Sequence, residues 1–137
     1  MGILIIPINT IIDYRANKKE SRYTMYPLIK LYLMDDEHNR FFGEGPYQLL
    51  KAIEETGSLR SAAISMKMAY TKAMSLLRHA EATLGFPLTT KSIGGKGGGG
   101  SVLTPKAKEF IKKYEQYKSA CIQANLQIYH EIFSEQS

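Results

Sequence analysis

The chain has 137 residues, 44% of them hydrophobic and 23% charged, which is typical of one folded domain rather than of a disordered segment. Its longest apolar run, residues 3–12, contains Pro7 and Asn9 and has about half of the roughly 20 residues that a spanning helix needs, so neither a membrane span nor a secretory signal is expected. The net charge is +5, and the single cysteine, Cys121, excludes an internal disulfide framework and fits a cytoplasmic location.

The N-terminal part is predicted to be an arm followed by one strand. Residues 1–24 combine an apolar start with a polar run and predict a poorly ordered arm. Residues 28–34 (LIKLYLM), between Pro27 and Asp35, are rich in large apolar side chains and predict a strand. Residues 35–40 predict a polar turn.

Three helices are predicted next. Gly45-Pro46 opens the first, because proline is tolerated at a first helical position, and Gly57 ends it. Ser58 is placed to cap a short second helix, and a turn over residues 66–69 leads to a third helix over about residues 70–84 that ends at Gly85. Side chains predicted to face the core recur at helical spacing: Leu49, Leu50, Ile53, Leu59, Ala62, Ala63, Ala73, Leu77, Ala80 and Leu84.

A hairpin and a long helix complete the chain. Residues 87–93 and 101–104 predict two short strands around a glycine-rich loop, residues 94–100, which has almost no side chains to restrict its backbone. Thr104 can cap and Pro105 can start a last helix, which continues to about Phe133 without an internal glycine or proline.

The excess of basic residues lies in one segment of the chain, residues 58–108. This segment holds eight lysines and arginines against one acidic residue, Glu81. Residues 1–57 hold seven basic and eight acidic residues, and residues 109–137 hold three and four. Because charges of one sign repel one another within a fold, this concentration favours a surface that binds a polyanion. A solvated basic face without a partner is the alternative.

The order of elements is that of a winged helix-turn-helix, a mostly α fold with a small β wing. We predict this fold over residues 25–104 and a C-terminal dimerisation helix over residues 105–137. In such a fold the third helix fits the major groove of DNA, and the hairpin reaches the adjoining backbone or minor groove. The predicted DNA-binding residues are Tyr70, Thr71, Lys72, Ser75 and Arg78 on the third helix, Arg60 and Lys67 at flanking phosphates, and Lys91 and Lys96 on the wing. An ordinary solvated helix surface is the alternative for the third-helix residues.

Several segments also resemble a known family. GSLRSAA from Gly57, LLRHAEATLGFPLTTK from Leu76 and VLTPKAKEF from Val102 are similar to the LysR-type and, more closely, the ModE-type DNA-binding domain. The sharpest similarity is SIGGKGGGGSVLT, residues 92–104, which resembles the glycine-rich wing of molybdate-responsive ModE regulators. Tyr70 and Ala73 match that family's third helix. The resemblance covers about residues 27–133.

The resemblance implies a dimeric transcriptional regulator that reads a palindromic operator in double-stranded DNA. ModE regulators commonly carry C-terminal molybdate-binding modules, and no residue of this chain matches one, so direct molybdate binding does not carry over. Ala69 departs from the family pattern, in which a serine often caps the third helix. Because the alanine methyl group cannot accept a hydrogen bond, we expect the start of the helix to be about 1 kcal/mol less stable than it would be with serine.

The last helix carries a candidate dimerisation seam. Apolar residues alternate along it at steps of three and four over about three heptads. At about 1.5 Å per residue the helix is roughly 43 Å long, too long for so small a domain to cover fully. Two chains could pair along this seam, whereas packing within the chain against Leu49 and Ile53 is the alternative. The seam residues are Ala107, Phe110, Tyr114, Tyr117, Cys121, Ala124 and Ile128.

Neither catalysis nor a cofactor is expected. The glycine loop lacks the spacing of a P-loop, because Lys96 is followed by Gly97 and a predicted strand rather than by Ser or Thr and a helix. His38, His79 and His130 are far apart in sequence and have no partners at metal-ligand spacing. No nucleophile or carboxylate pair is placed for catalysis, so we predict a non-enzyme without a metal. The alternative function is a winged-helix module that binds a protein partner and has weak or no DNA binding.

Overall fold

The computed structural model describes residues 25–92 and 99–134, which divide into two units. One unit is Leu31–Ile111, and the other is described for residues 25–30 and 112–134. The predicted arm and the predicted wing residue Lys96 lie outside the described residues. In chain order the described elements are β1 (Leu33–Met34), β2 (Arg40–Phe42), α1 (Glu44–Thr56), α2 (Leu59–Ser65), α3 (Tyr70–Leu84), β3 (Thr89–Lys91), β4 (Ser101–Leu103) and α4 (Pro105–Phe133). The described chain is therefore mostly helical, as predicted, and has two small antiparallel sheets, of which the sequence predicted only the second.

The first hairpin differs from the strand predicted over residues 28–34. Only Leu33–Met34 is strand, and it pairs with β2, which the sequence did not predict. The reason is the turn at Asp35, whose Oδ1 accepts the backbone N–H groups of Glu37 and Asn39, both at 2.9 Å. Because the chain reverses direction at this turn, β2 already begins at Arg40, which was predicted to lie in the turn.

Helix α1 carries the predicted apolar stripe into the core. Leu49, Leu50 and Ile53 are buried. The helix starts at Glu44, so Pro46 is its third residue rather than its first, still in the turn where helical N–H groups lack intrahelical partners. Gly57 ends the helix at φ +86°, a left-handed conformation that glycine adopts without strain.

The cap predicted for α2 is confirmed. The Ser58 hydroxyl oxygen accepts the backbone N–H of Ser61 at 3.0 Å. The apolar face of this short helix, Leu59, Ala62 and Ala63, is buried.

Replacing Ser58 by alanine is expected to lower the free energy of unfolding by about 1 kcal/mol, because the Ser61 N–H loses its acceptor. Urea denaturation measures this loss. The control is Ser61→Ala, which removes a hydroxyl one turn later and keeps the cap. Equal losses in both variants would show that the Ser58 hydroxyl does not stabilise α2.

Helix α3 has the predicted bounds and the predicted inner face. Ala73, Leu77 and Ala80 are buried, Leu84 is half-buried, and Gly85 ends the helix at φ +81°. Within the unit Leu31–Ile111, α3 contacts α2, α1 and β2. These contacts cover one side of α3 and leave the side that carries its polar residues exposed.

The second hairpin is shorter than predicted and is fixed at its base. Strand β3 pairs with β4 so that Lys91 lies opposite Ser101. The Ser101 N–H donates to the Gly57 carbonyl at 2.7 Å, which ties the hairpin to the end of α1. Gly100 lies so close to Ser92 that a Cβ there would meet its hydroxyl, so a larger residue would require the Ser92 side chain to move.

Helix α4 starts as predicted. The Thr104 hydroxyl accepts the Ala107 N–H at 3.0 Å and donates to the Pro87 carbonyl at 2.8 Å, so it caps the helix and holds its start against the chain before β3. The helix continues to Phe133. Among the described residues, no helix combines the length and the apolar character that crossing a membrane requires.

Candidate nucleic-acid interface

The exposed side of α3 brings together five side chains predicted to bind DNA. Each is exposed, because the helix turns its alanine and leucine stripe inward and leaves the intervening positions on the outside. They supply hydroxyl groups, an ammonium and a guanidinium along one surface, which we call the α3 face: Tyr70, Thr71, Lys72, Ser75 and Arg78. Donors of these kinds bind phosphate oxygens and base edges.

Arg60 lies beside this face, on the tyrosine ring at its start. Its guanidinium carbon is 5.4 Å from the centroid of the Tyr70 ring, within the range of a cation–π contact. Arg60 was predicted to bind a flanking phosphate. The contact with Tyr70 places the guanidinium at the N-terminal end of α3.

Lys67 occupies the turn between α2 and α3 in a left-handed conformation, with φ +53°. This conformation costs a non-glycine residue about 1–2 kcal/mol. The turn is fixed by two backbone hydrogen bonds, from the Lys67 N–H to the Ile64 carbonyl at 3.0 Å and from the Met68 N–H to the Ala63 carbonyl at 2.9 Å. The lysine side chain is exposed next to the α3 face.

The start of α3 is capped by Ala69, whose side chain cannot accept a hydrogen bond. Its backbone is extended, with φ −62° and ψ 140°, as an N-cap residue requires. Ala69→Ser is therefore expected to raise the free energy of unfolding by about 1 kcal/mol, because a hydroxyl would accept an N–H of the first turn. Urea denaturation against Ala82→Ser, an exposed interior position of α3, tests this. Equal stability of the two variants would contradict it.

The acidic residue of the basic segment is directed to the backbone. Glu81 is half-buried, and its Oε2 accepts the Leu88 N–H at 2.8 Å. The carboxylate thus fixes the chain that enters β3. Residues 58–108 have a net positive charge even when this carboxylate is included.

The hairpin presents one described cation. Lys91 is exposed at the end of β3, next to the loop. Lys96, the other predicted wing residue, lies outside the described residues.

Two residues that the sequence did not assign to the site, Met74 and His79, also lie at the α3 face. A shallow concavity is lined by Tyr70, Thr71, Met74, Ser75, Arg78 and His79. Met74 was not predicted because it is an apolar residue next to a core stripe. His79 is exposed, and its contact was not predicted: its Nε2 lies 3.6 Å from Oδ2 of Asp35 in the β1–β2 turn. The spacing of apolar residues predicts which face of a helix is buried. It does not predict which residue from a distant part of the chain lies next to that helix.

The predicted dimerisation seam divides into a covered part and an exposed part. Ala107 and Tyr114 are buried, and the Phe110 ring meets Phe42 edge to face with 4.7 Å between centroids. The remaining seam residues are exposed or half-buried: Tyr117, Cys121, Ala124 and Ile128. A hydrogen bond with the Cys121 thiol raises the pKa of Tyr117 above its ordinary value. The covered part fits the alternative of packing within the chain, though against Phe42, and the exposed part leaves room for a partner.

In the described part of the chain, no group of three or more His, Cys, Asp or Glu side chains is arranged to hold a metal ion.

No protein-family model matches the sequence. Curated proteins that are similar to part of it include the molybdenum-pterin-binding protein MopB of Rhodobacter capsulatus, 39% identical over 66 residues, which are 48% of this chain and 24% of that protein. The transcriptional regulator ModE of Haemophilus influenzae is 35% identical over 68 residues, 50% of this chain and 27% of the regulator. The molybdenum transport protein ModE of Herbaspirillum seropedicae is 36% identical over 84 residues, 61% of this chain and 30% of that protein.

The chain therefore spans roughly a quarter of the length of these relatives. The similarities support the relation to the ModE family that the sequence motifs indicated. The three relatives are named as regulator, transport or binding proteins rather than as enzymes, which is consistent with the predicted non-enzyme.

Proposed function

Starting from this relation, we propose that the protein is a sequence-specific, dimeric DNA-binding transcriptional regulator of the ModE type, with a winged helix-turn-helix over residues 25–104. The observation that carries the proposal is the α3 face, on which polar and cationic side chains are exposed together. The similarity to a transcriptional regulator named ModE supports it.

In this proposal α3 lies in the major groove of duplex DNA. An α-helix fits this groove, and each base pair presents a distinct pattern of donors and acceptors there. Thr71 and Ser75 are short enough to reach base edges, while Lys72 and Arg78 carry charges for guanine or phosphate. Arg60 and Lys67, exposed around the start of α3, meet the flanking phosphates.

The β3–β4 hairpin acts as the wing. Its base is tied to α1 through the Ser101 N–H and the Gly57 carbonyl. Lys91, exposed at the end of β3, is proposed to contact the DNA backbone. Lys96, which lies in the glycine-rich sequence outside the described residues, is also proposed to contact the DNA. These contacts carry no base information and raise affinity for all sequences alike.

The dimer is proposed to form along the exposed part of the α4 seam, with Tyr117, Cys121, Ala124 and Ile128 in contact between chains. A dimer suits the geometry of a palindromic operator, because two recognition helices about 34 Å apart reach successive major grooves on one side of the duplex.

Ile128→Glu is expected to shift the protein from dimer to monomer, because Ile128 is 54% exposed in the single chain and a buried unpaired carboxylate is costly. Sedimentation velocity measures the shift. Gln116→Glu adds the same charge on α4 away from the seam and should stay dimeric. Dimers that persist in Ile128→Glu would contradict the proposed seam.

Selection of binding sites from a pool of random duplexes, with and without molybdate, tests the function. We expect an enriched palindromic sequence, the same in both arms because no molybdate-binding residues are assigned to this chain. Failure to enrich any sequence would contradict the proposal and would favour the alternative of a module that binds a protein partner.

A further inference from the structure

The concavity on α3 contains one wholly apolar side chain among five polar ones. Met74 is half-buried, whereas Tyr70, Thr71, Ser75, Arg78 and His79 are exposed. A methionine adapts its shape to small apolar groups. The concavity is therefore not uniformly polar, and its most recessed side chain, Met74, makes no hydrogen bonds with bases.

The sides of this concavity are held from outside the helix. The Arg60 guanidinium lies over the Tyr70 ring at 5.4 Å. Asp35, whose carboxylate is fixed by the N–H groups of Glu37 and Asn39, lies 3.6 Å from His79. Side chains that are positioned before binding lose less conformational entropy when a ligand enters. The concavity is thus formed in the free protein.

The chemistry of duplex DNA identifies the group that fits. The bases present hydrogen-bond donors and acceptors in the major groove, and the apolar group among them is the 5-methyl group of thymine. Arg78 in the lining and Lys72, exposed elsewhere on the α3 face, favour an anionic partner such as DNA. Resting on the proposed function, we propose that Met74 and the Tyr70 ring receive the 5-methyl group of one thymine in each half-site, so that α3 selects thymine there by apolar contact.

The experiment replaces single methyl groups on the DNA. In a duplex obtained by the selection above, each thymine in turn is replaced by deoxyuridine, which keeps the hydrogen-bonding groups and lacks the methyl. We expect one position in each half-site at which the replacement weakens binding about fourfold, the effect of burying one methyl group. In Met74→Ala the ratio of affinities for thymine and deoxyuridine at that position should fall to nearly one.

Two control variants separate this contact from general binding. Lys72→Ala should weaken binding to the thymine and deoxyuridine duplexes equally, and Thr83→Ala, exposed on α3 outside the concavity, should keep the wild-type ratio. If Met74→Ala fails to fold by circular dichroism, Met74→Gln, which keeps the side-chain length and adds a polar amide, carries the test.

The outcomes distinguish this inference from the function on which it rests. If the wild-type protein binds no duplex, the proposed function fails. If it binds, but every thymine tolerates deoxyuridine, the thymine contact is wrong and the function stands. An unchanged ratio in the folded Met74 variant also overturns the assignment to Met74.

Discussion

Replacing Phe42 by alanine is expected to lower the free energy of unfolding by about 3–5 kcal/mol. Phe42 is 1% exposed and is one of the largest fully buried side chains. Its ring meets Phe110 edge to face at 4.7 Å, a geometry that adds roughly 0.5–1.5 kcal/mol to the effect of burial. Because domains are stable by about 5–15 kcal/mol, this one change removes a large part of the total. Urea denaturation measures it.

The neighbouring phenylalanine is the matched control for this prediction. Phe41 is half-buried in the same strand, and successive strand residues point to opposite sides. Phe41→Ala should therefore cost less than Phe42→Ala. A double-mutant cycle with Phe110→Ala isolates the ring contact. Equal losses for Phe41 and Phe42, with no coupling to Phe110, would place the core elsewhere.

The second large effect is expected on DNA affinity. Lys72→Ala should weaken binding to the selected operator by about 1–3 kcal/mol if the lysine reads a base, and should relax the preference at one position. Lys72 is exposed in the first turn of α3 and is not part of the core. Titration of labelled duplexes by fluorescence anisotropy measures the loss.

Lys112→Ala is the control for Lys72→Ala, because it removes the same charge from an exposed position of α4 outside the basic segment. It should leave both affinity and sequence preference nearly unchanged. If the two variants lose affinity equally and retain the same preference, net charge alone explains binding, and the assignment of α3 to base recognition is wrong.

The helices could be predicted from the sequence because their signals are local. Gly57, Ser58, Gly85 and Thr104 fix helix ends through hydrogen bonds or dihedral angles of neighbouring residues, and each does so in the structure. Strands of two or three residues are too short to show alternation. The β1–β2 pair depends on the turn at Asp35, so the prediction placed a strand too early and missed β2.

The site could be predicted only where side chains share one helix. The exposed positions of α3 follow from its period, as Lys72 and Ser75 show. The contact of His79 with Asp35 joins residues 44 positions apart and depends on packing that periodicity does not encode. The contact of Phe42 with Phe110 likewise depends on packing. It covers a part of the α4 seam that the residue spacing predicted to contact a second chain.

The salt dependence of binding shows whether the cationic side chains at the α3 face and on the hairpin meet the phosphate backbone of duplex DNA. Each neutralised phosphate releases counterions and contributes about −0.9 to the slope of log K against log salt concentration. If most of the described cations contact phosphates, a slope of about −3 to −4.5 per protomer is expected. These cations are Arg60, Lys67, Lys72, Arg78 and Lys91. A slope near zero, or no binding to duplexes in dilute buffer, would show that these side chains do not bind the DNA backbone.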